Sequence, residues 1–181
     1  MNAQHPDVHW LGYVSFEMPH FVPFMELDRA QARETYQQVM ESRQERRRML
    51  RSLLTHNGFA TDPENALVES LDTFLCTYAT RDSENPAEME ALWYAVAFDV
   101  ALTMGDIIVA RDPTLKWALR TTGKSTFDYH TPVIVGFQNS PIPNRAINVI
   151  MAVAGNTHSA AVGNPRPGFL REMLEQVHSE A

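Results

Sequence analysis

The chain is short of cysteine. Cys76 is the only one in 181 residues, which excludes an intramolecular disulfide framework and any cysteine-rich zinc module. It is short of lysine too, with Lys116 and Lys124 alone, and its formal net charge is −7. That combination is poor for non-specific nucleic-acid binding. No run of about 18 apolar residues stands out, so no membrane span is expected. The opening MNAQHPDVHW lacks a basic region followed by an apolar one, so no secretory signal is expected. Together these absences point to a reducing cytoplasm. The seven histidines form no HExxH and no HxH pair. His5, Asp7 and His9 have spacing for ligands along an extended segment, but at a chain end they read as an exposed tail. Neither a metal nor another cofactor is expected.

What is present is a globular composition, 44% hydrophobic, in a length that suits one domain spanning residues 1–181. Residues 1–26 read as an irregular lead-in, with Leu11–Phe16 able to form one short strand before Pro19 and Pro23. Residues 28–110 read as helical. Asp28 and Gln31 have capping-box spacing, and Ala32, Tyr36, Val39, Met40, Leu50, Leu53 and Leu54 follow at helical spacing. His56-Asn57-Gly58 supplies the stop. A second helix is expected from an Asp62 cap with Pro63 at its first position. A third is expected from Asn85-Pro86 to just before Pro113, apolar nearly all round between Ala91 and Ala110, and therefore central.

Leu115–Leu119 and Pro132–Phe137 are β-branched and aromatic, and residues 115–137 read as an antiparallel hairpin laid against the helices. Residues 144–181 read as two C-terminal helices, the first capped by Asn144 and stopped by Gly155, the second near Phe169–His178. The fold class is α+β, helix-dominated, with a small antiparallel sheet packed on a central apolar helix.

The charge is unevenly placed. Residues 28–51 carry seven arginines and sum to +3; residues 62–90 carry eight acids against Arg81 alone and sum to −7. Arg43, Arg47 and Arg51 make one file on a helix, which reads as a solvated face or a protein contact. The acidic segment reads either as ordinary surface or as a steering surface for a basic partner.

Ala118–Ser125 matches a relaxed phosphate-loop pattern, but no helix-forming segment follows it. A hairpin connection with Gly123 at a positive-φ position accounts for it better. Asp99 and Asp106 sit seven apart on one face of the third helix. They read as structural acids satisfied by a tryptophan or tyrosine donor or by an arginine, or else as a catalytic or metal pair. Cys76 reads as a small buried hydrophobe.

The order of short pieces resembles a group of uncharacterised bacterial α+β proteins. They are Pro23-Phe24, Arg47–Leu54, Glu69-Ser70-Leu71, Asp99 with Gly105-Asp106-Ile107-Ile108, Pro113-Thr-Leu-Lys116-Trp117, Asp128-Tyr129, and Pro132-Val-Ile-Val-Gly136-Phe137. The similar proteins usually have Gly-Glu where this chain has Gly105-Asp106. The resemblance implies a compact α+β domain. By analogy with small acidic bacterial proteins encoded beside toxins, it also implies an immunity-like role. On it, Asp99, Asp106, Lys116, Trp117 and Tyr129 are expected to form a polar core joining the central helix to the sheet.

The leading expectation is a non-enzymatic binding protein, an immunity or inhibitor protein whose Asp82, Glu84, Glu88 and Glu90 meet a basic toxin. The alternative is a small enzyme or ligand-binding domain with a pocket around Asp99, Asp106 and Tyr129. Homo-oligomerisation through an apolar helix face is a third possibility.

Overall fold

The computed structural model describes residues 7–20, 22–124, 126 and 128–181. Five helices and three short strands follow in the order α1 Arg29–His56, α2 Glu64–Tyr78, α3 Ala91–Arg111, β1 Lys116–Leu119, β2 Pro132–Val135, β3 Ala146–Ile147, α4 Val149–Ala161 and α5 Phe169–Glu180. The sheet is antiparallel throughout, in the order β1-β2-β3. The fold is α+β and dominated by helix.

Local chemistry accounts for both ends of α1. The Asp28 carboxylate accepts from the Ala30 and Gln31 N–H groups at 2.7 and 2.9 Å, while the Gln31 side chain accepts from the Asp28 N–H at 3.0 Å. This closes the expected capping box, a device worth about 1 kcal/mol. Gly58, at φ +80°, turns the chain out of α1 as its left-handed conformation allows.

Elsewhere a tertiary contact or a competing local turn displaces the expected start. Asp62 does not cap α2: its carboxylate lies 3.1 Å from Arg51 of α1, and Pro63 takes the cap position. α3 begins at Ala91, not at Asn85. The preceding segment closes on itself through an Arg81–Met89 bridge, and the Asp82 carboxylate accepts from the N–H groups of Glu84 and Asn85, both at 2.8 Å. An aspartate that holds two such donors favours a turn over a helix. Asn148, not Asn144, caps α4, accepting from the Met151 N–H at 3.0 Å. Asn144 sits at φ +53° ahead of β3, and Gly155 lies inside α4, which runs on to Ala161. Leu11–Phe16 forms no strand; a tight turn, Tyr13 N–H to Trp10 carbonyl at 2.7 Å, bends it instead.

α3 is the hub. Apart from Tyr94 and its two ends, its apolar residues are buried or half-buried, and it contacts α1, α2, α4, α5 and β1. By length and composition it could cross a membrane, an 18-residue stretch averaging a hydropathy of 1.6, although Asp99 and Asp106 interrupt that stretch. Here 72% of that stretch is buried inside the protein, and the helix carries the fully buried Asp99. β2 rests on α4, and β1 contacts both α3 and α1.

Two glycines set how closely the sheet approaches. A Cβ on Gly105 would lie 2.0 Å from the Trp117 ring, so only glycine lets β1 press its indole onto α3. Gly136, at φ +110°, passes the Thr114 carbonyl so closely that a Cβ would lie 2.0 Å from it.

Candidate functional site

Two charged regions organise the molecule, one buried and one exposed. The buried one forms where α1 crosses α3. Arg46 is 5% exposed and falls in the inward stripe of α1, seven residues after Val39 and four before Leu50. Its guanidinium meets Asp99 with two hydrogen bonds, Nε to Oδ1 at 2.8 Å and Nη2 to Oδ2 at 2.5 Å. The Tyr13 hydroxyl donates to Asp99 Oδ2 at 2.6 Å, and Arg46 Nη1 donates to the Val14 carbonyl at 2.6 Å. The Arg46 guanidinium also lies over the Tyr13 ring, 5.4 Å from its centroid.

Burial pushes the Asp99 carboxyl up, against the pull of the Arg46 and Tyr13 hydrogen bonds. The Tyr13 phenol is pushed far above its ordinary value by burial and by the Asp99 charge it faces. This cluster ties the lead-in to the helices. Trp10 meets Trp93 edge-on at 5.4 Å, Phe16 stacks on Phe98 at 5.8 Å, and the His9 N–H donates to the Asn57 side chain at 2.9 Å. His9 is therefore pinned through its backbone; its proposed companion His5 lies outside the described residues.

Two turns further along α3, Asp106 accepts from the Trp117 indole N–H at 3.0 Å and is also bonded by Arg43 of α1. The two acids on one face of α3 are thus separate clamps, one holding the lead-in and one holding the sheet. The expected polar core is only partly assembled. Asp106 and Trp117 meet, whereas Asp99 bonds to the lead-in and α1. Lys116 is exposed, because strand alternation turns it away from the neighbouring Trp117. Tyr129 is buried in the hairpin connection, stacked on His130 at 3.8 Å, with no hydrogen bond to either acid.

The arginine file is solvated only in part. Arg43 bonds Asp106 and Arg51 bonds Asp62, while Arg46, outside that file, faces the core. Arg46 carried one legible sign of this, its place in the apolar stripe. Tyr13 carried none.

The exposed region is the turn between α2 and α3. Glu84, Glu88 and Glu90 are exposed, while Asp82 is half-buried and committed to the turn. The turn is anchored beneath by buried Met89, by the Trp93 indole N–H donating to Thr80 Oγ1 at 3.0 Å, and by His158 of α4 bonding the Ala87 carbonyl at 2.9 Å. Thr80 in turn donates to Glu90 at 2.7 Å, and the Tyr94 hydroxyl donates to Glu88 at 2.8 Å. The rest of the 62–90 acid run is largely committed to the fold. Asp62 pairs with Arg51, Glu64 with Arg111, and buried Asp72 caps α5 through the N–H groups of Gly168 and Leu170 at 2.6 and 3.1 Å. That last role was not visible in the sequence.

The remaining candidates resolve simply. Gly123 sits at φ +77° in the hairpin connection, and Ser125 of the phosphate-loop pattern lies outside the described residues. Cys76 is half-buried, and burial pushes its thiol up, away from reactivity. Among the described residues, no three of His, Cys, Asp and Glu are grouped to hold a metal ion. Comparison with protein-family models, with curated proteins and with solved structures gives no match to this chain.

Proposed function

We propose that this is a binding protein, immunity- or inhibitor-like, that uses the acidic 82–90 turn to meet a basic protein surface. The observation that supports it is that Glu84, Glu88 and Glu90 stand exposed on a turn anchored from three sides. A charged surface already held in shape loses little conformational entropy on docking, and its field steers an oppositely charged partner. Blocking a toxin's active site would follow from occupancy alone, with no chemistry by this chain. The reading of Asp99 as a catalytic acid has weaker support, since both its oxygens are occupied by Arg46 and Tyr13.

The test has two stages. The chain, used as bait in extract of its own source cells, is expected to retain a basic protein. With that protein purified, the association rate should fall steeply as salt rises. Reversing Glu84, Glu88 and Glu90 to Lys should slow it by about tenfold or more. Retention of no partner, or binding indifferent to the triple reversal, would overturn the reading.

A further inference from the structure

The start of the lead-in is fastened to the end of α1 by one side chain, and that side chain uses both its polar ends. The Asn57 Oδ1 accepts the His9 N–H at 2.9 Å, while its Nδ2 donates to the His9 carbonyl at 3.1 Å and to the Leu53 carbonyl at 2.8 Å. A carboxamide closes this pattern because it donates and accepts in one plane. A carboxylate only accepts, and in the same place it would face two carbonyl oxygens. Position adds a second penalty. Asn57 caps the C-terminal end of α1, where free helix carbonyls already form the negative pole, so a negative charge there is unfavourable.

The next residue makes that amide chemically impermanent. Asn57-Gly58 is the one Asn-Gly pair in the chain. Gly58 is exposed, and with no Cβ it leaves its backbone nitrogen open to the preceding carboxamide. The reaction is self-contained. The Gly58 nitrogen bonds to the Asn57 Cγ, the Asn57 Nδ2 leaves as ammonia carrying the Gly58 amide proton, and a cyclic imide remains. Water then opens the imide at one of its two carbonyls, leaving a carboxylate on an ordinary or a β-linked backbone.

The fold restrains this chemistry while the lead-in is docked. The Gly58 N–H is engaged by the Thr55 carbonyl at 3.1 Å, and the carboxamide is held by its three hydrogen bonds. Ring closure therefore waits until the end of α1 and the lead-in part. Once it has occurred, the product no longer has the Nδ2–H groups that faced His9 and Leu53.

We infer that Asn57 is a deamidation site, and that its conversion is a one-way release of the start of the lead-in from α1. A transient opening becomes a lasting one. The segment freed runs from Asp7 to Trp10, whose ring otherwise meets Trp93 at 5.4 Å. The site is separate from the acidic turn and needs no co-reactant but water.

The test ages the full chain in warm alkaline buffer and separates the converted fraction by its extra negative charge. The peptide carrying Asn57 should show the mass change of an amide turned to an acid. Gly58→Ala shields the attacking nitrogen and should slow that change about tenfold. A Cβ there meets no atom within 4 Å, although φ +80° is strained for alanine. Chymotrypsin reports the lead-in, because the half-buried Trp10 ring must leave Trp93 before the chain is cut after it. Cleavage there should be about tenfold faster in the converted fraction and in Asn57→Asp than in fresh protein, the scale of one lost hydrogen bond. Should Asn57→Asp fail to fold, the converted fraction, folded before it changed, decides alone. No conversion at Asn57, equal conversion in Gly58→Ala, or conversion that leaves cleavage after Trp10 unchanged would each overturn the proposal.

Discussion

The basic stretch of α1 and the acidic turn before α3 are both dense in charge, yet the fold handles them in opposite ways. Arg43 and Arg46 turn inward and each is matched to a carboxylate of α3; Glu84, Glu88 and Glu90 stay in solvent. The difference lies in what underlies each segment. α1 alternates its arginines with Val39, Leu50, Leu53 and Leu54, so a helix that buries its apolar stripe must bury Arg46 with it. The turn has only Met89 to bury, and its acids follow the chain around the outside. A buried charge is stable only when paired, so α1 and α3 had to supply opposite signs at the same level.

The largest effect that can break this comparison is expected at Arg46. Arg46→Ala leaves Asp99 buried without its cation and should cost about 3–5 kcal/mol in chemical denaturation. Arg46→Met combined with Asp99→Leu should recover much of that, because removing both charges removes the unpaired one. If Arg46→Ala is nearly neutral, the pair is not what holds α1 to α3.

Next in size is Gly105→Ala. Its methyl would meet the Trp117 ring, whose flat face cannot yield without lifting β1, and a loss of about 1–3 kcal/mol is expected with a change in near-ultraviolet dichroism. An unchanged spectrum would show that the sheet sits less tightly on α3 than the acid turn sits on its own base.

Tyr13→Phe should cost about 1 kcal/mol at neutral pH, since it removes one hydrogen bond to a charged acceptor. It also has a pH signature. The folded Tyr13 holds its proton above the ordinary phenol value of 10.0, so the folded state binds more protons than the unfolded state once pH exceeds that value. Stability from this group is therefore complete below pH 10.0 and is lost as pH rises beyond it. Thermal melts should show a steeper alkaline decline for the parent than for Tyr13→Phe. Parallel declines would place Tyr13 outside the cluster.

The smallest effect is expected in the exposed region. Changing Glu84, Glu88 and Glu90 singly to Gln should move stability by no more than about 0.5 kcal/mol each. A loss of several kcal/mol there would abolish the contrast between the two regions, because it would make the acids part of the scaffold.

Much of this architecture is legible one segment at a time. The capping box at Asp28, the exit at Gly58, the central place of α3 and the antiparallel hairpin all arise from signals within a few residues of each other. The misplaced boundaries have separate causes. Asp62 and Asn85-Pro86 carry start signals, but a contact from α1 takes the first, and the turn closed by Asp82 takes the second. At Asn144 the local sign was good and the backbone simply continues to Asn148, where an equivalent side chain meets the Met151 N–H.

The candidate site divides in the same way. That Asp99 and Asp106 need donors follows from placing carboxylates on an apolar helix, and that Glu84, Glu88 and Glu90 face water follows from the density of acids there. Which donors they find does not follow. Arg46 lies 53 residues from Asp99 and Tyr13 lies 86 away, and no local periodicity relates such positions. Sequence alone determined the helices, their inward faces and the sign of each charged segment, because those depend on backbone geometry and on neighbours within a turn or two. Only the tertiary structure decided that the two α3 acids become separate clamps and that β1 packs against both α1 and α3. Those outcomes depend on how close whole elements come, and here Gly105 and the buried Arg46–Asp99 pair set that distance.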